Sequence, residues 1–519
     1  MFFSKPKPEA DICLLLEGTY PYVSGGVSTW VHQIITAYPQ WKFAILHIGS
    51  QRDAKVGYKY EIPANVISIT EIYLFDPTPQ RLLSLRNKVP SDWSEFYKTL
   101  RQLFVHSPDG SRNDFRLLAP LFEKVAANPS VSFEVFWHDR ETWKVLREIY
   151  EHYASEESFL HFFWTARYLI EPLWKIACAL PSVPRAKVYH TACTGYAGIL
   201  GALLSKETGA PLLLSEHGIY LKERIADICR SKWIPDALLL RPGLNEPLGN
   251  LRRLWIGFFD LLGRICYDTS TQTVSLFGAN ARLQEHFGAH AEKIMIIPNG
   301  IATENCDALY EMRAKRRHGE PESCIVGFLG RVVPIKDVKT LLRAARLVCD
   351  AVPHARFLIA GPTSEDPEYF QECQGLAQQL QLTGQVDFVG LCQRDDVLPL
   401  MDVMVLTSIS EGLPFVVIES MASGVPLVCT DAGACRELLE GTIDEKSSPG
   451  ASGLVAPVGD TEQIARALIR LLTDPALQQR MSEAGRIRAH EHYHERRMLD
   501  AYESMYQKLM HPAVLGKAA

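Results

Sequence analysis

A glycine, an arginine and a lysine at the end of an apolar run carry the strongest chemical signal in this sequence. The segment Gly330-Arg331-Val332-Val333-Pro334-Ile335-Lys336 follows the strand pattern Cys324 to Leu329 and precedes a helical pattern that begins near Asp337. Glycine at a strand end permits a tight turn and close approach of the backbone to a ligand. Arginine offers a planar fork for phosphate oxygens, lysine a point charge, and the helix start the positive end of a dipole. Together they would hold a diphosphate without a Walker sequence. Taken alone, the same Arg and Lys serve equally well as structural residues at a strand end.

The second signal is a pair of glutamates eight residues apart in Glu411-Gly412-Leu413-Pro414-Phe415-Val416-Val417-Ile418-Glu419, after the strand pattern Val403 to Leu406. Pro414 suits a first helical position. The Phe-Val-Val-Ile run is poor helix material, so burial must override propensity there. Glu411 then precedes the helix and Glu419 lies within it, and two carboxylates facing one cleft could accept hydrogen bonds from ligand hydroxyls. A surface glutamate and a salt-bridged glutamate are the plainer alternative.

Three weaker signals share this placement. Gly25-Gly26-Val27 opens a helix after the first apolar run, where bare N–H groups could meet an oxyanion or simply form a turn. Ser215-Glu216-His217-Gly218 puts a histidine just past the strand pattern Pro211 to Leu214, as a site residue or a core histidine. Pro298-Asn299-Gly300 reads as the turn that leaves the first domain.

The elements that would position these residues form two successive α/β series. The first has strand patterns at Ile12 to Leu16, Phe43 to Ile48, Lys187 to His190, Pro211 to Ser215, Gln272 to Leu276 and Lys293 to Ile297. The second has Cys324 to Leu329, Arg356 to Ala360, Val386 to Val389, Val403 to Leu406 and Leu427 to Thr430. Strands alternating with helices predict parallel sheets, and ligands of such folds bind at strand carboxyl ends or in the cleft between domains. The stretch from about 53 to 181 breaks the rhythm, with aromatic helical patterns, few strand patterns and a loop-rich middle around Ser107 to Asn113. It reads as an elaboration of the first domain. Val338, Leu341, Leu342, Ala345 and Val348 fall on one face of a helix opposite Lys339, Arg343 and Arg346. Asp460-Thr461 provides cap chemistry for the helix Glu462 to Leu472. The charged stretch Arg313 to Glu322 could meet something acidic, but is expected to be a solvated linker or helix face. His490, His492 and His494 would be spread around a helix, which argues against a metal site.

Composition narrows the functional classes. A chain of 519 residues is too long for one ordinary core. Lys and Arg total 54 against 60 Asp and Glu, a formal charge of -6, which argues against a nucleic-acid binder. No apolar run reaches the ~18 residues a membrane-spanning helix needs. The prolines and acid of the N-terminal MFFSKPKPEA make a poor signal peptide. The 12 cysteines form no C-x-x-C pair. These features predict a reduced, cytoplasmic protein.

Taken in order, the motifs resemble the retaining GT-B glycosyltransferases of family 4. That family pairs an N-terminal Gly-Gly loop, a histidine after a middle strand and Asn-Gly before the hinge with Gly-Arg…Lys and two glutamates eight residues apart. Asp337 departs from the pattern, since many members have glycine after the lysine. The opening Leu14 to Gln33 (LLLEGTYPYVSGGVSTWVHQ) is similar to the PelF-like glycosyltransferases of Pel exopolysaccharide synthesis. The family-4 resemblance spans roughly 11–49 and 187–510.

The resemblance implies two Rossmann-like α/β domains facing across a cleft. An acceptor domain would occupy 1–300 with the helical elaboration at about 53–181, and a nucleotide-sugar domain 301–490. A final helix in 491–519 would cross back to the first domain, with a hinge near Gly300 to Cys306. Arg331 and Lys336 would hold the diphosphate beside Gly330. Glu419 would take the ribose, and Glu411, with Gly412, Leu413 and Pro414, the donor sugar. The loop Gly390, Leu391 to Arg394 would take the base, while His217 and Gly25-Gly26 would close over the sugar. The donor implied is a UDP-sugar, the acceptor a growing exopolysaccharide, and no metal is implied, in keeping with the lack of an Asp-X-Asp triplet. An inner-membrane polysaccharide synthase or export complex is the implied partner. Two other classes stay open: a nucleotide-sugar epimerase of the same architecture and a non-catalytic nucleotide-sugar binder.

Overall fold

Parallel strands buried on both faces must be apolar throughout, and Ile12 to Leu16 meets that demand, with each of its five residues at most 1% exposed. The structure, a computed structural model, describes residues 10–53, 57–76, 88–105, 114–231, 233–234, 248–319, 324–442 and 448–511. Two compact units emerge: Met1–Ser275 with Ala281–Met295 and Met505–Ala519, and Leu276–Asn280 with Ile296–Ser504.

In the first unit, β1 (Ala10–Glu17), β2 (Phe43–Gly49), β3 (Val66–Tyr73), β4 (Ala186–Thr191), β5 (Leu212–Glu216), β6 (Gln272–Ser275) and β7 (Ile294–Ile296) form a sheet in the order β3-β2-β1-β4-β5-β6-β7. The order reverses direction between β1 and β4, the position where such sheets open a crevice. The strand β3 was not foreseen. Its sequence VISITEIY is rich in β-branched residues, but it is an edge strand paired with β2 alone and mostly half-buried, so no long apolar run announces it. The helices that follow, among them Ser94–Val105, Phe133–Trp137 and Phe159–Ala179, share one apolar core with the sheet. Within it Phe136 stacks on Trp174 at 4.7 Å. The loop expected around Ser107 to Asn113 lies outside the described residues.

In the second unit, β8 (Ile325–Leu329), β9 (Arg356–Ala360), β10 (Val386–Gly390), β11 (Val403–Leu406), β12 (Leu427–Thr430) and β13 (Gly453–Ala456) run in the order β10-β9-β8-β11-β12-β13. Here the reversal falls between β8 and β11. The strand β13 was also unforeseen, because its four residues are too short for a periodicity signal. The helix Val338–Ala351 buries Val338, Leu341, Leu342, Ala345 and Val348, the face its spacing indicates. Asp460 accepts from Gln463 N at 3.0 Å as the cap of Thr461–Thr473.

Two expectations about this unit change. The charged stretch is not a solvated face where it begins. Arg313 is 4% exposed and donates to the carbonyls of Met401 at 3.0 Å and Asp402 at 3.1 Å. Arg316 bonds the Asp402 carboxylate at 2.6 Å. These arginines satisfy a turn that would otherwise bury carbonyls and a charge unpaired. The three histidines are not all helical either. The helix Pro475–His492 ends before His494, which pairs in an isolated bridge with Ile301. A Cβ on Gly300 would stand 2.5 Å from the Glu495 backbone, so Gly300 marks a close chain approach.

Candidate functional site

The carboxyl ends of β8, β9 and β10 meet in a row of glycines. Gly330 N donates to Ala360 O at 2.9 Å, and Gly361 N to Gly390 O at 2.8 Å. Gly361 has φ +142, and a Cβ there would stand 2.0 Å from the Gly330 carbonyl oxygen, so only glycine lets these strand ends lie this close. Sequence reading passed over Gly361, although a glycine directly after a strand was the available signal. Beyond Gly330 the exposed Arg331 pairs through Nη1 with Glu365 Oε2 at 2.8 Å. A short 3₁₀ turn, Pro334–Lys336, leads to Asp337 at φ +47, whose carboxylate accepts from Thr340 N at 3.3 Å. Asp337 thus takes up the left-handed conformation that favours glycine. Aspartate tolerates it better than most residues.

The segment after β11 is tied to that turn. Thr407 Oγ1 donates to the carbonyls of Lys336 at 2.9 Å and Asp337 at 3.1 Å, and Ile409 N donates to Ile335 O at 2.8 Å. These bonds place Lys336 Nζ 2.5 Å from Glu411 Oε1, with side chains only 16% and 10% exposed. The pair stands at the switch point between β8 and β11. Gly433, at φ +58, supports it from below: a Cβ there would stand 2.3 Å from Glu411 O, and Ala434 N donates to Gly412 O at 2.9 Å. Neither Thr407 nor Gly433 stood out in the sequence.

Pro414 is the cap rather than the first turn of its helix, which runs Phe415–Ala422. Leu413 is buried beside it. Glu419 sits in that helix and accepts from Arg394 Nη1 at 2.7 Å. Burial pushes the Glu419 carboxyl up from its ordinary range, while the Arg394 guanidinium pulls it down. Arg394 also bonds its neighbour Asp395 at 2.6 Å, and Leu391, next to Gly390 at φ +77, stands 83% exposed. The two glutamates therefore each hold a separate cation, Lys336 for Glu411 and Arg394 for Glu419, while Arg331 is engaged by Glu365.

In the first unit, Gly25 and Gly26 are exposed at the start of the helix Gly26–Ala37, and a Cβ on Gly25 would meet nothing within 4 Å. Neither backbone strain nor packing demands glycine at Gly25. His217 follows β5 and packs against the Trp30 ring at 4.6 Å. Burial drives its imidazole down to about 3, so it is neutral near pH 7, and its buried Nε2 has no hydrogen-bond partner among the described residues. That atom is open to a hydrogen bond from a ligand or water.

Its neighbour Glu216 is fully engaged, with Oε2 accepting from Tyr267 Oη at 2.6 Å and Gln284 Nε2 at 3.1 Å, and Oε1 from Tyr220 N at 3.0 Å. Glu17 ends β1 and accepts from Tyr196 N at 2.8 Å and Ala197 N at 3.3 Å, so an internal carboxylate occupies the start of the helix Tyr196–Thr208. Glu17 did not stand out in the sequence, because its partner helix lies some 180 residues away.

Residues 10–292 match the model for a domain of unknown function (DUF3492), and residues 311–488 match the model for glycosyl transferases group 1. The chain is 26% identical over 280 residues to N-acetyl-alpha-D-glucosaminyl L-malate synthase of Bacillus anthracis, an alignment covering 53% of this chain and 66% of that protein. Among solved structures, sucrose-phosphate synthase from Thermosynechococcus elongatus superposes with a TM-score of 0.58 at 16% identity, covering 97% of this chain and 100% of the other. Anabaena HepE in complex with UDP and glucose superposes with a TM-score of 0.56 at 15% identity, covering 96% and 99%. These neighbours share the GT-B fold of two parallel-sheet Rossmann-like domains. Since its model spans more than half of the 519 residues, the chain belongs to the DUF3492 family, and it carries a glycosyl transferases group 1 domain in its second unit.

Proposed function

We propose that the chain is a retaining glycosyltransferase of family 4 that moves a hexose from a UDP-sugar to a growing exopolysaccharide. The observation that carries this reading is the Lys336–Glu411 pair held at the β8/β11 switch point. The ammonium can give one hydrogen to Glu411 and keep others for a phosphate oxygen. Charge grows on the diphosphate as the sugar–oxygen bond breaks, and Lys336 and Arg331 stabilise it. The acceptor oxygen attacks the face the diphosphate leaves, and the departing phosphate oxygen takes its proton. Glu411 places the sugar, Glu419 the ribose, and the loop Gly390 to Arg394 the base. His217 and Gly25-Gly26 are further candidates for the sugar. The acceptor domain is 1–300, the nucleotide-sugar domain 301–490, and 491–519 holds the final helix.

The likeness of Leu14 to Gln33 to the PelF-like group supports a Pel-type polymer as acceptor. With it come a cytoplasmic site of action and an inner-membrane synthase or export complex as partner. Among the described residues no helix is long and apolar enough to cross a membrane, and none of the His, Cys, Asp and Glu side chains form a group of three or more that could hold a metal.

A thermal-shift and hydrolysis panel of UDP-, GDP- and ADP-sugars tests the reading, with UDP-sugars expected to respond. Product analysis separates transfer from epimerisation, because an epimerase converts its donor without an acceptor. Transfer should survive EDTA, and a loss that Mg²⁺ or Mn²⁺ restores would refute metal-free catalysis.

Arg331→Ala should weaken UDP binding by roughly 1.5–3 kcal/mol, the worth of a hydrogen bond to a charged group. Calorimetric titration measures it. Because Glu365 engages Arg331 in the free protein, the measured loss includes release of that pair, and unchanged UDP affinity in folded protein would remove Arg331 from the site.

A further inference from the structure

A second set of polar and aromatic side chains lies wholly in the first unit, at the carboxyl ends of β1, β2 and β3. In register, His47 of β2 stands opposite Glu71 of β3, and Gly49 opposite Tyr73. Tyr22, from the loop after β1, donates its hydroxyl to Glu71 Oε1, and Arg52 Nη2 donates to Glu71 Oε2 at 3.2 Å. The Arg52 guanidinium also covers the Tyr73 ring at 4.9 Å. The Tyr22 ring meets His47 at 4.8 Å and Tyr58 at 5.2 Å, both edge-on.

A core explanation does not fit this cluster. Tyr58 is 49% exposed, and the Glu71 side chain, reached through Tyr22, retains 20% exposure. Core aromatics are buried, whereas here a ring face and a carboxylate stand together at the end of the sheet where ligands of this fold class bind. The charges of Glu71 and Arg52 cancel, and burial lowers the His47 imidazole so that it adds none at neutral pH. A balanced pair offers donors and acceptors without selecting an anion or a cation. An aromatic face with a few convergent polar groups suits a ring that is apolar on one side and rich in hydroxyls at its edge.

We infer that Tyr58, Tyr22, Glu71 and Arg52 form a subsite for an uncharged saccharide ring, stacked on Tyr58 with its hydroxyls on Glu71 and Arg52. Its role as an acceptor subsite rests on the glycosyltransferase reading, whereas saccharide binding does not. The test uses the full chain with maltotriose, cellotriose and tri-N-acetylchitotriose, each at roughly 10 mM, a concentration that detects millimolar affinity. Saturation-transfer NMR should show at least one of them bound, with the signal lost in Tyr58→Ala and Glu71→Gln and kept in Tyr58→Phe. Calorimetry with UDP on the same samples should give wild-type affinity, which establishes folded variants. If none of the trisaccharides binds, or if binding survives Tyr58→Ala, the subsite is refuted. If saccharide binds as expected but wild-type protein binds no UDP, the subsite stands and the glycosyltransferase reading fails.

Discussion

Lys336→Ala should lower the transfer rate by on the order of a hundred- to a thousandfold, the usual cost of removing a donor aimed at charge that develops in the transition state. The structure sets the terms. Lys336 is held by the Thr407 hydroxyl on its carbonyl and by Glu411 on its ammonium, so it is positioned before any nucleotide arrives. Positioned charge needs no reorganisation as the bond breaks, so its loss should appear mainly in kcat. A secondary cost follows, because Glu411 is 10% exposed at its side chain and loses its cation. The thermal midpoint of Lys336→Ala separates the two effects: if the variant is assayed well below its midpoint and is still slow, the rate loss is catalytic and not a loss of folded protein. A wild-type rate in Lys336→Ala would end the diphosphate assignment.

The second large effect separates the glutamates. Glu419→Gln should weaken UDP and UDP-sugar alike, by about tenfold or 1.4 kcal/mol, because the ribose does not react and uniform binding is lost. The variant also removes a charge from Arg394, which holds Glu419 at 2.7 Å, so the base loop is perturbed in the same direction. Glu411→Gln should leave UDP affinity in place and reduce kcat, since sugar placement matters most as the glycosidic bond breaks. Titrating each variant with UDP and with the UDP-sugar, then measuring transfer, checks both. The opposite pattern would exchange the two roles, and no change in either would leave two structural glutamates.

Much of the scaffold was legible because burial and period speak plainly in parallel sheets. The run Ile12 to Leu16 could hardly be anything but a strand buried on both faces, and Val338 to Val348 displays one apolar helical face. The strand β3 was hidden because an edge strand, half wetted, keeps Ser68, Thr70 and Glu71 among its β-branched residues. The charged candidates Arg331, Lys336, Glu411 and Glu419 stood out by type and spacing. Their supports did not. Gly361 and Gly433 matter through backbones that approach them from other strands, and Arg313 through carbonyls some 88 residues away, none of which a linear pattern contains. Asp337, which departs in sequence from the resembled pattern, stands at φ +47, an angle that aspartate tolerates better than most residues.

The glycine row at the ends of β8, β9 and β10 has a consequence in conformational entropy. Gly330, Gly361 and Gly390 present bare backbone, and backbone held in a sheet has no rotamers left to lose. A molecule resting on that floor immobilises few side chains. On the proposed function, the ordering cost, roughly 0.5–1.5 kcal/mol for each flexible side chain fixed at an interface, would fall instead on groups such as the exposed Arg331, which would exchange Glu365 for a phosphate oxygen. The surface pair that holds Arg331 when the site is free would then set part of the cost of binding, while the strand ends add little to it.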